Sequence, residues 1–195
     1  MTTYADKFIP KNLGDKMKRK SETAKCRERL KQYCIGSGLD IGYGGDPIVP
    51  EAITIDLHNP YGAPAWNEDR APQNLKGDCR DLYWFRNSVF DYVFSSHLLE
   101  DFREEQMIII LEEWTRVVKI GGYIILYCPD QQRYLAHCEK NKTSPNANHK
   151  IENFSYTFFA ENILPYFYRN LKLKPIHYNY LVDDYSWEVV MRKET

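Results

Sequence analysis

Residues 38–47 read GLDIGYGGDP, and the reading of this stretch decides the fold. A short apolar run carrying one acid, Asp40, passes into Gly42, Gly44 and Gly45, and Asp46–Pro47 close the segment. The chain has ten glycines in 195 residues, so three within four positions mark a place where backbone must come close to something. Glycine accepts positive φ and carries no Cβ to block such an approach. A buried strand ending in such a turn is what the ligand-binding edge of a parallel sheet requires.

Working outward, Leu39–Ile41 is a buried strand and Ala52–Leu57 (AITIDL) a second, β-branched one. Only about ten residues separate them, with Pro47 and Pro50 among these, so no helix fits between. Residues 60–76 are proline-rich and polar and read as a long surface loop. Phe90–Ser95 (FDYVFS) is the next strand, after a turn at Arg86–Ser88. From Arg103 to Lys119, Met107, Leu111, Trp114 and Val118 recur at helical spacing, and Gly121–Gly122 stand where a helix stop is expected. Tyr123–Cys128 (YIILYC) is another apolar strand, ended by Pro129–Asp130. Residues 131–150 read as a polar loop, and Phe158–Tyr168 as a helix interrupted around Pro165. Leu171–Leu181 and Tyr185–Arg192 form a closing strand pair around Val182–Asp184.

Upstream of the glycines, Asp15–Tyr33 is free of Gly and Pro and reads as a helix. Its apolar positions are sparse (Met17, Ala24, Leu30), which predicts a surface position. Buried strands alternating with helices make an α/β sandwich with a mainly parallel sheet. The division predicted is a basic helical arm over 1–36 and a single domain over 37–195.

Composition is that of an ordinary globular chain, 43% hydrophobic and 27% charged with a net charge of −1, which supplies no overall field for nucleic acid or membrane. Residues 1–36 alone hold ten Lys/Arg against four Asp/Glu. That arm is either a solvated helix face or a contact for an anionic partner. The five cysteines include no C-x-x-C pair, which argues against a disulfide framework or a zinc site and for a reducing compartment. No apolar run is long enough to span a bilayer, and the N-terminus lacks the apolar core of a signal peptide. The expected location is cytoplasmic, and no metal is expected.

In open parallel sheets ligands bind beyond the carboxyl ends of the strands. The polar residues there are Asp40 with its glycines, Asp56, Asp78, the series Ser95–Ser96–His97, and Asp130. An acid in the place of Asp56 suits a ribose diol, because a carboxylate accepts from both hydroxyls. The dinucleotide fingerprint G-x-G-x-x-G fails, since its third glycine falls on Pro47, and the phosphate-loop pattern is absent. With no helix after the turn there is no helix N-terminus to hold a pyrophosphate. An adenosine bearing an amino acid instead of phosphates, S-adenosylmethionine, fits this groove.

With these residues in view, LDIGYGG resembles the first motif of class I S-adenosylmethionine-dependent methyltransferases. ITIDL, GDCRDL, VFDYVFSSHLLED and LEEWTRVVKIGGYIILYCPD follow in the family's order, so the resemblance covers about residues 37–130. The later NHKIENFSYTFFAENIL is similar to the family's His followed by an aromatic–Ser/Thr helix start. The resemblance implies a Rossmann-like three-layer sandwich, with a mostly parallel seven-stranded sheet and an antiparallel C-terminal strand. It implies that Gly42 and Gly44, with Tyr43 between them, make room for the methionine half, Asp40 shaping the loop and accepting from the amino group. Asp56, beside Leu57, would hold the ribose, and Asp78 the adenine amino group beside the Cys79 backbone. Ser95 and Ser96 would line the cofactor near the methyl, with His97 and Leu98 behind.

Methyl transfer asks for in-line positioning and, for O or N acceptors, a proton sink. His149 is the first candidate, with His97, His137 and Asp130 after it. Three positions depart from the family pattern: Asp46 where a further glycine is common, Pro47–Pro50 where a helix is common, and Asp101 where many relatives show His. The function expected is methyl transfer to an O or N atom of a small-molecule or glycan-type acceptor. The alternatives are an RNA methyltransferase, which the basic arm keeps open, and a catalytically inactive cofactor-binding scaffold.

Overall fold

The computed structural model describes residues 21–57 and 71–195, so the expected helical residues 15–20 and loop residues 60–70 lie outside it. The elements run α1 (Glu22–Leu30), a 3-10 turn (Lys31–Tyr33), β1 (Gly38–Ile41), β2 (Ile53–Asp56), β3 (Leu75–Lys76) and β4 (Phe90–Ser96). A 3-10 turn (Leu99–Asp101), α2 (Glu104–Val117), β5 (Val118–Pro129) and α3 (Gln131–Asn141) follow. A composite helix comes next: α4 (Tyr156–Phe158), a π turn (Phe159–Ile163) and α5 (Leu164–Asn170). β6 (Leu173–Val182) and β7 (Ser186–Lys193) end the chain.

The sheet has seven strands in the order β3-β2-β1-β4-β5-β7-β6. β1 pairs parallel with both β2 and β4, so strand order reverses there and opens a crevice at the carboxyl ends. β2–β3 and β4–β5 are also parallel, whereas β7 pairs antiparallel with β5 and β6. Residues Gly42–Ala52 link β1 to β2 without a helix, as the two prolines require.

The sheet carries apolar layers on both faces. On one, Met107, Ile110, Leu111, Trp114 and Val117 of α2 pack with Leu39, Ile41, Val93 and Leu126, joined by Phe159, Ile163 and Phe167 of the composite helix. On the other, Cys26 and Leu30 of α1 pack with Tyr92, Phe94, Ile125, Tyr127 and Val190. This corrects the surface placement of the first helix: its inner stripe is short but fully buried. The helix starts at Glu22, where the Ser21 hydroxyl accepts from Ala24 N at 2.9 Å, an N-cap.

Two further expectations are corrected. Gly121–Gly122 do not stop a helix. α2 ends at Val117, β5 begins at Val118, and the glycines lie in an irregularity of the β4–β5 ladder between the Phe90↔Val118 and Tyr92↔Tyr123 pairs. A Cβ on Gly122 would sit 2.6 Å from Asp91 O, so close strand approach is what requires glycine there. Residues 131–141, read as loop, form α3, whose N-cap is Asp130: its Oδ1 accepts from Arg133 N at 3.1 Å. The interruption expected near Pro165 is present as the π turn just before α5, where Pro165 lacks the N–H an uninterrupted helix would use. All five cysteines are free and buried, and no helix among the described residues is long and apolar enough to cross a membrane.

Candidate active site

A cleft of about 260 Å³ opens at the carboxyl ends of β1, β2 and β3, where strand order reverses. Of the residues singled out in the sequence, Gly42, Asp56, Leu57, Asp78 and Cys79 line it, with Leu98 opposite. Arg80, Asp101, Phe102, Asn148 and Lys150 also line it and were not singled out for binding.

The glycine turn is built as the sequence demands. Gly42, Gly44 and Gly45 all have positive φ, at 70°, 60° and 89°. Gly42 N donates to Ile55 O at 2.8 Å, fastening the turn to β2, and a Cβ there would press on Leu98 at 3.0 Å. A Cβ on Gly44 would meet nothing within 4 Å among the described residues. The carboxylate of Asp56 accepts from Leu57 N at 2.8 Å and from Gly44 N at 3.4 Å. Burial raises the Asp56 pKa above its ordinary value, and the two backbone donors act against that shift.

Asp40 holds the turn from within β1. It is fully buried, and its Oδ2 accepts from Ile48 N at 2.6 Å, tying the far end of the turn back to β1. Burial pushes its pKa up to about 8, and its Oδ1 has no hydrogen-bond partner among the described residues. Asp40 does not line the cleft, and neither does Tyr43, whose hydroxyl donates to Ala71 O at 3.0 Å. Asp78 accepts from Arg80 through backbone and side chain, with Nη2 at 2.5 Å, and that guanidinium holds its pKa below the ordinary value. Its carboxylate therefore faces the cleft as half of an ion pair.

The strand-end serines differ. Ser95 donates to Ile41 O at 2.8 Å, joining β4 to β1, while the buried Ser96 hydroxyl has no partner among the described residues. Behind them lies a polar cluster. His97, at φ 52°, has Nε2 3.3 Å from Ser186 Oγ and 3.4 Å from Glu22 Oε2 of α1. His149 has Nδ1 2.6 Å from Gln131 Oε1, so its ring is held by the first residue of α3. Between the two rings stands Glu100, 1% exposed, with Oε1 3.5 Å from His97 Nδ1 and 3.8 Å from His149 Nε2. Burial lowers both histidines to about 4 and raises Glu100 well above its usual range. Both rings are therefore neutral at pH 7, and burial disfavours the charged form of Glu100. Lys150 N donates to Glu100 O at 2.8 Å, which holds the loop carrying His149 over the strand ends.

Sequence reasoning offered His97 and His149 only as alternative proton sinks and missed Glu100 between them, along with a site role for Asp101. Burial pushes Asp101 up to about 6, with Lys150 opposing the shift, and its buried Oδ1 is unpartnered among the described residues. The signal was the acid pair in HLLED directly after the strand-end serines. Asp130 caps α3 and His137 packs 4.7 Å from the Tyr185 ring, so neither stands in the cleft. Among the described residues, no group of His, Cys, Asp or Glu is arranged to hold a metal ion.

Residues 36–126 match the model of a family described as "Methyltransferase domain". No curated protein sequence matches the chain. The fold is shared with the PH0226 protein from Pyrococcus horikoshii, at 18% identity and a TM-score of 0.64 over 87% of this chain and 88% of that one. It is shared as well with a SAM-dependent methyltransferase from Archaeoglobus fulgidus, at 16% identity and a TM-score of 0.59 over 88% and 94%. A third is the N-methyltransferase NodS from Bradyrhizobium japonicum, at 14% identity and 0.52 over 89% and 94%.

Proposed function

We propose that this chain methylates an oxygen or nitrogen of a small-molecule or glycan-type acceptor with S-adenosylmethionine as donor; the match of residues 36–126 to the methyltransferase-domain model and the fold shared with a SAM-dependent methyltransferase support this reading. The observation that carries the acceptor class is the state of the basic helix. Lys25 pairs with Glu22, Arg27 with Asp46, Arg29 with Asp183 and Glu188, and Lys31 with Glu28. Each of these four cations, the described ones among the ten of residues 1–36, already has an intramolecular anion, which argues against a counterion-displacing track along α1 for a nucleic-acid backbone.

The cleft suits the cofactor on two counts. Gly44, hydrogen-bonded to the cleft residue Asp56, has no described atom within 4 Å of where a Cβ would stand, which suits a methionine moiety, and Asp56 ends β2 with a carboxylate able to accept from a ribose diol. The cofactor, when bound, supplies a methyl group on a sulfonium, a good leaving group. This chain's own part is to hold the acceptor in line, keep water out and take a proton. His97 and His149 are neutral at pH 7 and each has a ring nitrogen facing Glu100, so a proton arriving at the cluster can be taken by a ring.

The test is transfer of isotope-labelled methyl to a panel of small amines, small alcohols, oligosaccharides and RNA. Label on a small or glycan acceptor supports the proposal. Label on RNA alone, losing affinity steeply with salt, overturns the acceptor class. Intact cofactor binding with no transfer to any class supports a scaffold instead.

A further inference from the structure

Asp46, where the family pattern commonly has a further glycine, is the point at which α1 grips the cofactor turn. Arg27 of α1 donates from Nη2 to Asp46 Oδ1 and to Pro47 O at 3.0 Å, and from Nε to Ile48 O at 3.3 Å. One guanidinium thus engages three consecutive residues just after Gly44–Gly45. Ser21, the N-cap of the same helix, donates to the other oxygen of Asp46. From the opposite side, Ile48 N donates to Asp40 of β1, and Ile48 itself is fully buried in the layer with Cys26 and Leu30. The segment 46–48 is therefore fixed between strand and helix, in a position where a helix following β1 would ordinarily brace the turn.

We infer that Arg27, through Asp46, is a positioning residue for cofactor binding, and that α1 supplies in trans along the sequence the brace which the helixless β1–β2 link lacks. This rests on the proposed cofactor role of the glycine turn. Arg27 does not line the cleft, so its effect passes through the backbone of Gly44–Ile48. A polar anchor of this kind, partly buried and charge-assisted, restricts the turn to the conformation the ligand meets, and binding to a pre-organised turn forgoes an ordering cost. The same helix carries Glu22 and Lys25 to His97 and Tyr185, so α1 touches both the cofactor turn and the polar cluster.

The experiment compares Arg27→Ala with Arg29→Ala, which removes another ion-pair set of the same helix, to Asp183 and Glu188, away from the glycine turn. Binding of S-adenosylmethionine and S-adenosylhomocysteine is titrated below the melting temperature of each variant. Arg27→Ala is expected to raise both Kd values about tenfold, and Arg29→Ala to leave them within about twofold. Asp46→Asn, which keeps the side-chain volume, should reproduce the Arg27→Ala effect and serves if that variant does not fold. Without any cofactor, amide exchange at Ile48 should speed up in Arg27→Ala and stay at the wild-type rate in Arg29→Ala. Equal Kd values for wild type and Arg27→Ala, or equal losses in both arginine variants, overturn the positioning role. Failure of the wild type to bind either ligand instead overturns the cofactor reading itself, while the exchange measurement still tests the brace.

Discussion

The backbone N–H of Gly44 donates to Oδ2 of Asp56 across 3.4 Å, joining the glycine turn after β1 to the acid that ends β2. The two parts of the proposed cofactor site are thus one unit: the acid is held by the turn and faces the cleft. Asp56→Ala should reduce S-adenosylmethionine affinity by roughly 1.5–3 kcal/mol, the range for hydrogen bonds to a charged group. Calorimetric titration checks this, and an unchanged Kd removes Asp56 from the ribose role.

Gly44→Ala places a Cβ beside the turn, in space that no described residue fills, at a φ of 60°. The left-handed conformation costs a side chain roughly 1–2 kcal/mol, so a modest fall in melting temperature is expected. If the open space belongs to the ligand, cofactor affinity should fall by about tenfold or more, a loss beyond the backbone strain. Affinity equal to wild type, with the melting temperature lowered, would assign the space to solvent.

The glycine turn, the strand ends and the sheet were legible because each rests on local pattern: β-branched runs, proline punctuation, and glycines at fixed offsets. The polar cluster was not. Glu100 meets His149 across 49 positions of sequence, and what makes it notable, its burial between two rings, is a property of tertiary packing. α3 was missed because only Gln131 and Cys138 of its residues are buried, so its apolar periodicity is faint. Gly121–Gly122 misled because a glycine pair marks a helix stop and an irregular strand equally well, and only the nearness of Asp91 O decides between them. The Arg27–Asp46 contact had no sequence signal beyond the odd acid in the glycine run.

Asp40 titrates at about 8 in the fold, against an ordinary 3.8, because it is buried. Between those values the unfolded chain has released the proton while the native chain keeps it. Stability present in full below pH 3.8 is therefore lost as pH rises through about 8. Asp40→Asn should flatten this limb of the melting-temperature profile, since the amide oxygen still accepts from Ile48 N. A wild-type slope in the variant contradicts the assignment.

The histidines act with the opposite sign. His97 and His149, lowered to about 4 from 6.5, stay neutral in the fold while the unfolded chain takes up protons. Their contribution is whole above pH 6.5 and is lost as pH falls toward 4. His149→Gln should make the acid limb shallower, as measured by thermal melts across that interval. An acid limb as steep as the wild type's would place the proton uptake elsewhere.

For turnover, His149→Gln should leave cofactor affinity unchanged and slow methyl transfer by about 10²–10⁴-fold if the ring takes the acceptor's proton. The pH profile of the residual rate distinguishes this from simple misplacement of the 143–155 loop, because only loss of a base flattens it. Wild-type turnover removes His149 from the catalytic machinery.

The central claim is that the cleft beyond β1 and β2 binds the methyl donor, and titration of S-adenosylhomocysteine into wild type and Asp56→Ala in parallel tests it most directly. Saturable one-to-one binding to the wild type, weakened in the variant, is the result predicted. Absence of binding to the wild type at millimolar ligand, or identical binding to both proteins, would contradict it.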